Sequence, residues 1–292
     1  MSMNLCDIKT VRQLMASFHL SFRKEFGQNF LTDHSVVEGI ADECCSGQDN
    51  TILEIGPGMG TLTVELAQRY RNVVALEIDK GLIPLLSFTL GEFRNVKVIN
   101  EDVMQADLDA ILAPYLESGP VSVCANLPYY ITTPILMKLL ESGIPFEHIT
   151  VMIQAEVADR LCAKAGSKEY GAITAVLAYY GVAEPLFRVS ADRFVPAPKV
   201  DSAVVRIRLH TEKPYRPMSE ELLFRTIKAA FGQRRKTLLN ALSAGFPALS
   251  KEALADAITS CGHDLNVRGE RLDIAQFVAL SDRILDLLEA TP

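Results

Sequence analysis

No apolar run in this chain approaches the roughly 18 residues that a membrane-spanning helix needs, so the sequence does not read as a transmembrane protein. The first residues mix Asp7 with Lys9 and Arg12, where a secretory signal needs a basic start, an apolar core and small residues at a cleavage site; none is expected. Cysteine is sparse and scattered: Cys6, Cys44, Cys45, Cys124, Cys162 and Cys261 form no C-x-x-C, and none stands at zinc-ligand spacing from a histidine. Such thiols read as reduced residues of a cytoplasmic protein without a metal. There is no internal repeat and no low-complexity tract. A general basic excess is also missing, since the net charge is −7. That excludes a coat of Lys and Arg, but not a local basic face. Between Arg193 and Lys236 there are 11 Lys/Arg against 4 Asp/Glu, a balance of +7 that leaves about −14 for the rest. This asymmetry points to a polyanionic partner on one side.

What is present suits a globular protein of two domains. The 292 residues are 49% apolar, ample for a packed core. Ile8, Val11, Leu14, Met15 and Phe18 recur at helical steps, so 1–20 reads as an amphipathic helix with no assigned chemistry. Phe26-Gly27-Gln28-Asn29-Phe30-Leu31 follows, with Thr32/Asp33 as the N-cap of a helix over 34–46.

The sharpest local signal is the strand 51–55 running into Gly56-Pro57-Gly58-Met59-Gly60. A helix over 61–70 and a second strand over 73–78 complete a βαβ unit with a nucleotide-type loop at its first turn. Glycines let the backbone approach a ligand without hindrance from Cβ. Glu77, 21 residues after Gly56, ends the second strand, where a carboxylate accepts from two ribose hydroxyls. The loop is G-x-G-x-G, unlike the G-x-G-x-x-G of dinucleotide enzymes. That spacing fits a ligand with no pyrophosphate, such as S-adenosylmethionine (SAM). A third strand over 96–99 ends near Asp102, which is placed to accept the cofactor's adenine amine or, alternatively, to cap a turn.

Strand 121–125 leads into Asn126-Leu127-Pro128-Tyr129, and a helix starts at Thr132. A loop beyond the C-terminal end of a parallel strand is where open α/β sheets bind ligands. Asn126 and the Leu127 carbonyl before Pro128 supply two acceptors, and Tyr129 supplies a flat face. That set suits a planar base with an exocyclic amine; the bland alternative is a polar turn closed by proline. Phe194, ahead of Pro196 and Pro198 on a path too extended for a helix, is a second stacking plate or a packed aromatic. Further strands read over 149–153, 186–189 and 204–209. Lys213-Pro214-Tyr215-Arg216-Pro217 marks a boundary between 1–212 and a helical domain over 213–292. There Arg234-Arg235-Lys236 sits at the start of a helix over 236–242, a poor place for cations. Phosphate contact explains it; a solvated face is the alternative.

The motifs FGQNFL, EIGPGMGTLT, ALEID, EDV, NLPYYITTPI, RFVPAPKVDSAV and FGQRRKTLLNAL, in this order from about residue 19 onward, resemble the ribosomal RNA adenine N6,N6-dimethyltransferases. The resemblance implies a Rossmann-like, seven-stranded, mostly parallel α/β sheet with one antiparallel strand, plus a small all-helical domain. It implies SAM as cofactor, with Asn29 and Leu31 touching it from the N-terminal segment. Gly56 would lie at its methionine part, Glu77 at the ribose, Asp102 at the adenine and Asn126 between cofactor and target base. Gln28, Gly58, Ile78 and Val103 belong to the same expected cofactor shell. Asn126, Leu127, Pro128, Tyr129 and Phe194 form the expected catalytic set, and Arg234, Arg235 and Lys236 the RNA contacts. FGQRRKTL resembles the small-subunit branch, which dimethylates two adjacent adenosines in a hairpin near the 3′ end of that RNA during ribosome biogenesis. A monomer acting on immature small subunits is expected. The alternatives are the macrolide-resistance branch acting on large-subunit RNA, a non-catalytic assembly factor, and a small-molecule methyltransferase. Of these, the small-molecule enzyme leaves the basic C-terminal segment unexplained.

Overall fold

The computed structural model describes residues 3–21, 27–45, 47–233 and 235–290. The chain divides into two compact units, Met1–Ala158 with Glu184–Leu209, and Asp159–Ala183 with His210–Pro292. In chain order the elements are α1 (Ile8–Ser17), β1 (Phe30–Leu31), α2 (His34–Asp42), β2 (Thr51–Ile55), α3 (Thr61–Arg69), β3 (Asn72–Glu77), α4 (Ile83–Thr89), β4 (Val96–Asn100), α5 (Leu108–Leu116), β5 (Val121–Asn126), α6 (Thr132–Glu141) and β6 (Phe146–Gln154). They continue with α7 (Ala155–Leu161), α8 (Ala172–Tyr180), β7 (Gly181–Val189), β8 (Phe194–Val195), β9 (Ser202–Leu209), α9 (Glu220–Gly232), α10 (Leu238–Gly245), α11 (Lys251–Ser260) and α12 (Ile274–Glu289).

Seven strands form one sheet in the order β4-β3-β2-β5-β6-β9-β7. β2 pairs parallel with β3 and β5, β3 with β4, and β5 with β6, while β9 runs antiparallel to β6. This is the expected mostly parallel Rossmann-like sheet. Every residue of β2 is buried, as is all of β5 except Asn126. Central parallel strands are covered on both faces, which is why they read as unbroken apolar runs. β7 lies at the sheet's edge and holds Pro185, whose missing N–H is tolerated there. Asp33 and Asp107 start α2 and α5 by accepting backbone N–H bonds, as N-caps do.

The structure departs from the sequence reading in several places. The first helix spans Ile8–Ser17 rather than 1–20, and α4, with a proline in its first turn, has no counterpart in the expected elements. α10 begins at Leu238 rather than at 236. Residues 159–183 cluster with the second unit, upstream of the expected boundary at 213. A two-stranded ribbon, unforeseen, pairs β1 with β8: Phe30 lies opposite Val195, and Leu31 opposite Phe194. Among the described residues no helix is long and apolar enough to cross a membrane.

The second unit is helical around a core that includes Leu223, Ile227, Leu242, Phe246, Ile258 and Phe277. α9 and α10 meet closely at Gly245, where an added Cβ would lie 2.4 Å from the Cβ of Ala229. No pair of non-bonded carbons sits that close, so Gly245→Ala must push the helices apart. Overpacking of this kind costs about 1–3 kcal/mol, more than the helix propensity that alanine restores. Gly245→Ala is expected to lower the urea midpoint of the second unit; an unchanged midpoint would show that the helices separate freely here.

Candidate active site

The sheet order places β3 and β5 on either side of β2, and the loops leaving all three converge at their C-terminal ends. They enclose a pocket of about 940 Å³ including its open mouth, lined by residues of 27–31, 54–62, 77–78, 126–129 and Phe194. Gln28, Asn29, Leu31, Gly56, Gly58, Glu77, Ile78, Asn126, Leu127, Pro128, Tyr129 and Phe194 therefore share one cavity. Asp102 and Val103 are not among its walls. Asp102 caps a turn, with Oδ1 accepting from the Met104 N–H at 2.9 Å, and Val103 is buried.

At Gly56 (φ +70°) an added Cβ would meet no atom within 4 Å, so the glycine borders open space. At Gly58 (φ +62°) a Cβ would stand 3.1 Å from the Phe30 ring. The loop needs glycine there for close approach as well as for its left-handed backbone. Phe30 belongs to the N-terminal strap, so this contact closes the strap onto the glycine loop.

Glu77 is held by the backbone. Its Oε2 accepts from the Gly58 N–H at 3.1 Å and its Oε1 from the Asp79 N–H at 2.8 Å. Burial raises its pKa and the neighbouring Asp79 charge adds to the rise, while these amide bonds oppose it. A carboxylate has about four acceptor positions, so two remain for a ligand. Asp79 was not expected in the site. It accepts from Gln28 Nε2 at 3.0 Å and from the Gly81 N–H at 2.9 Å. Gln28 thereby pins the strap to the turn after β3.

Asn126 donates through Nδ2 to the Asn29 carbonyl at 3.3 Å. The donor end of the amide is thus turned to the strap, and Oδ1 is left without a hydrogen bond among the described residues. The Leu127 N–H goes to the Met152 carbonyl at 3.1 Å, while Pro128 O accepts from Ile131 N–H and Thr132 Oγ1 at 3.2 and 3.1 Å. The Leu127 carbonyl accepts none among the described residues. Two acceptors therefore stand uncommitted at the pocket. The Tyr129 hydroxyl and Ser202 Oγ are 2.6 Å apart, which fixes the ring against the start of β9. Phe194, only 3% exposed, packs with Leu31, Val37 and Ile40 and presents its remainder to the cavity.

Glu54 is a pocket residue to which the sequence assigned no role. It is 1% exposed, and its Oε2 has no hydrogen-bond partner; neither has Thr63 Oγ1, also fully buried. Burial pushes the Glu54 carboxyl up to about 8, with the nearby Thr63 hydroxyl opposing and Glu77 reinforcing the rise. The available signal was a carboxylate inside a strand otherwise buried on both faces.

The basic cluster lies in the second unit. Arg235 and Lys236 are exposed, and Arg234 is outside the described residues. Lys236 N–H bonds back to the Gln233 carbonyl at 2.9 Å in the turn between α9 and α10, one residue before the α10 N-cap Thr237. Arg235 and Lys236 lie between the end of α9 at Gly232 and that N-cap, so these cations precede a helix start, where the dipole gives them no support. Neither makes an ion pair among the described residues.

A family model described as ribosomal RNA adenine dimethylase matches residues 19–284. The chain belongs to that family. It is 44% identical over 287 residues to the ribosomal RNA small subunit methyltransferase A of Geobacillus thermodenitrificans, covering 96% of this chain and 98% of that one. Its identity to the protein of the same name from Alkaliphilus metalliredigens is 43% over 273 residues, covering 94% and 95%. Among solved structures, the 23S rRNA methyltransferase ErmE superposes with a TM-score of 0.68 at 27% identity, covering 87% of this chain and 99% of that one. A dimethyladenosine transferase from Plasmodium falciparum superposes with a TM-score of 0.71 at 22% identity, covering 89% and 98%, and supports the fold.

The Glu54 carboxyl gives a pH signature. Its folded pKa, about 8, lies above its ordinary 4.5, so the folded state holds an extra proton between those values. The stability associated with that proton is present at low pH and is lost as pH rises towards 8, at up to about 1.4 kcal/mol per pH unit. Glu54→Gln, which cannot ionise, should flatten this slope in ligand-free protein. Parallel urea-midpoint profiles for the two proteins from about pH 5 to 9 would refute the assignment.

Proposed function

We propose that this protein transfers methyl groups from SAM to the N6 amines of two adjacent adenosines near the 3′ end of small-subunit ribosomal RNA. Kinship with the small subunit methyltransferases, at 41–45% identity, supports the RNA substrate. The observation that carries the chemistry is the pair of uncommitted acceptors, Asn126 Oδ1 and the Leu127 carbonyl, in the cavity that Tyr129 and Phe194 also line.

The pocket suits SAM. Gly56 borders open space, Glu77 keeps two acceptor positions for a ribose, and Glu54, a wall of the pocket, has an oxygen without a hydrogen-bond partner. Asn29 and Leu31 would hold the cofactor from the strap, Glu77 its ribose and Ile78 its adenine end, with Asp102 and Val103 meeting the adenine beyond the present walls of the cavity and Gln28 and Gly58 holding those walls. When bound, SAM supplies an electrophilic methyl group. The chain's own work is orientation. The adenine amine is a poor nucleophile because its lone pair is shared with the ring. A base turned out of its stack can be gripped by its edge. Asn126 and the Leu127 carbonyl would take its two N6 hydrogens and direct the lone pair at the methyl, while Tyr129 and Phe194 clamp the ring. Positioning and fixed dipoles supply the rate. Cytoplasmic location follows from this substrate, and a monomer suffices for it.

Two expectations test the reading. Glu77→Ala should weaken SAM by about 1.5–3 kcal/mol, the worth of hydrogen bonds to a charged group, while Asn126→Ala should cut the single-turnover rate on unmethylated small subunits far more than it cuts RNA affinity. Calorimetry showing unchanged SAM affinity, or an Asn126→Ala protein methylating at the wild-type rate, would contradict it. Identification of the modified base separates small-subunit from large-subunit RNA as substrate. For the second unit, replacing Arg234, Arg235 and Lys236 with Ala should flatten the salt dependence of RNA binding by about 0.7–0.9 log units for each phosphate no longer neutralised. An unchanged slope returns the cluster to a solvated face.

A further inference from the structure

Tyr130 follows the pocket residues Pro128 and Tyr129 but does not line the cavity. At 61% it is the most exposed aromatic among the large apolar side chains of the described residues. Isolated exposure is ordinary; the placement of this ring is not. One edge, Cδ1 and Cε1, rests over Gly27, where an added Cβ would lie 3.5 Å from both atoms, and Gly27 is itself a wall of the pocket. The bend closed by Ile131 N–H on the Pro128 carbonyl at 3.2 Å fixes the backbone beneath it. Its hydroxyl has no hydrogen bond, and its ring no aromatic partner, among the described residues. Phe88, comparably exposed, differs in packing against Phe18 at 5.7 Å. Tyr130 is therefore a supported, uncovered aromatic plate at the rim of the cavity.

We infer that Tyr130 is a positioning residue that stacks on the base next to the target adenine. This rests on the reaction proposed above. Turning one adenine into the pocket breaks its stack on its neighbour, a loss that has to be offset. Single-stranded bases dock on aromatic side chains. An exposed ring one residue beyond Tyr129 is placed to replace the lost stack. With two adjacent adenosines as substrate, the plate receives one while the cavity holds the other.

The test uses the full-length protein with SAM's unreactive analogue sinefungin and a hairpin carrying the two adenosines, either intact or with one made abasic. Binding is measured for wild type, Tyr130→Ala and Tyr130→Phe. Tyr130→Ala should weaken the intact hairpin on the order of 5- to 100-fold, the range of base–aromatic stacking, and Tyr130→Phe should bind like wild type. On the abasic hairpin all three should bind alike, because the base that the ring would meet is gone. Equal weakening of both hairpins by Tyr130→Ala overturns the inference and leaves the ring as a cover for Gly27. So does a parallel loss of sinefungin affinity without RNA, which also reports any failure of the variant to fold. If wild type methylates neither adenosine in small subunits, the proposed reaction fails first and this inference falls with it.

Discussion

The site depends on a change of direction in the sheet. From β2 the chain goes to β3 on one side, and later returns to place β5 on the other. Connections leaving in opposite directions cannot cover the C-terminal ends of these strands, so a crevice must open there. Three loops meet around it: the glycine turn after β2, the acidic turn after β3 and Asn126–Tyr129 after β5. Their spacing is set by the register of the strands, and the strands are fixed by burial on both faces. Glu77 reaches the glycine turn because Ile55 and Leu76 are partners in the ladder, which carries the two loops to the same height.

A crevice alone is an open groove. The strap over 27–31 closes it through bonds of different kinds: the β1–β8 ribbon, Gln28 on Asp79, Asn126 on the Asn29 carbonyl, and Phe30 against Gly58. Each joins a residue of the strap to a distant part of the chain. The cost is electrostatic, because Glu54 and Glu77 are buried together at the crevice and burial raises both carboxyls. A buried carboxyl without a partner is unfavourable in the free protein, and a ligand with positive charge or donor groups relieves that cost on binding.

Much of this was legible in the sequence because its signals are local. The glycine turn, Glu77 after an apolar strand, and Asn126-Leu127-Pro128-Tyr129 before a helix start are each defined by a short stretch of neighbouring residues. Long-range partners were not legible. Ser202 fixes Tyr129 across 73 residues, and Asp79 holds Gln28 across 51. The β1–β8 ribbon has two residues per strand, too short for any alternation to show. α4 escaped because its apolar residues follow a turn directly, without a side-chain cap.

The strap also decides the chemistry of Asn126. An amide side chain can present its oxygen or its NH2 to a pocket, and the two have opposite uses towards an amine. Only the oxygen can take an N6 hydrogen in the proposed reaction. The Asn29 carbonyl, an acceptor with no hydrogen to give, engages Nδ2 and so turns Oδ1 the other way. That carbonyl is held in place by the ribbon that begins at Phe30 and by the Gln28–Asp79 bond on its other side. Closing the strap over the crevice and orienting the acceptor are thus one event. A group with no strong base to activate its substrate needs that coupling, because an amide pointing the wrong way would present a donor to a donor.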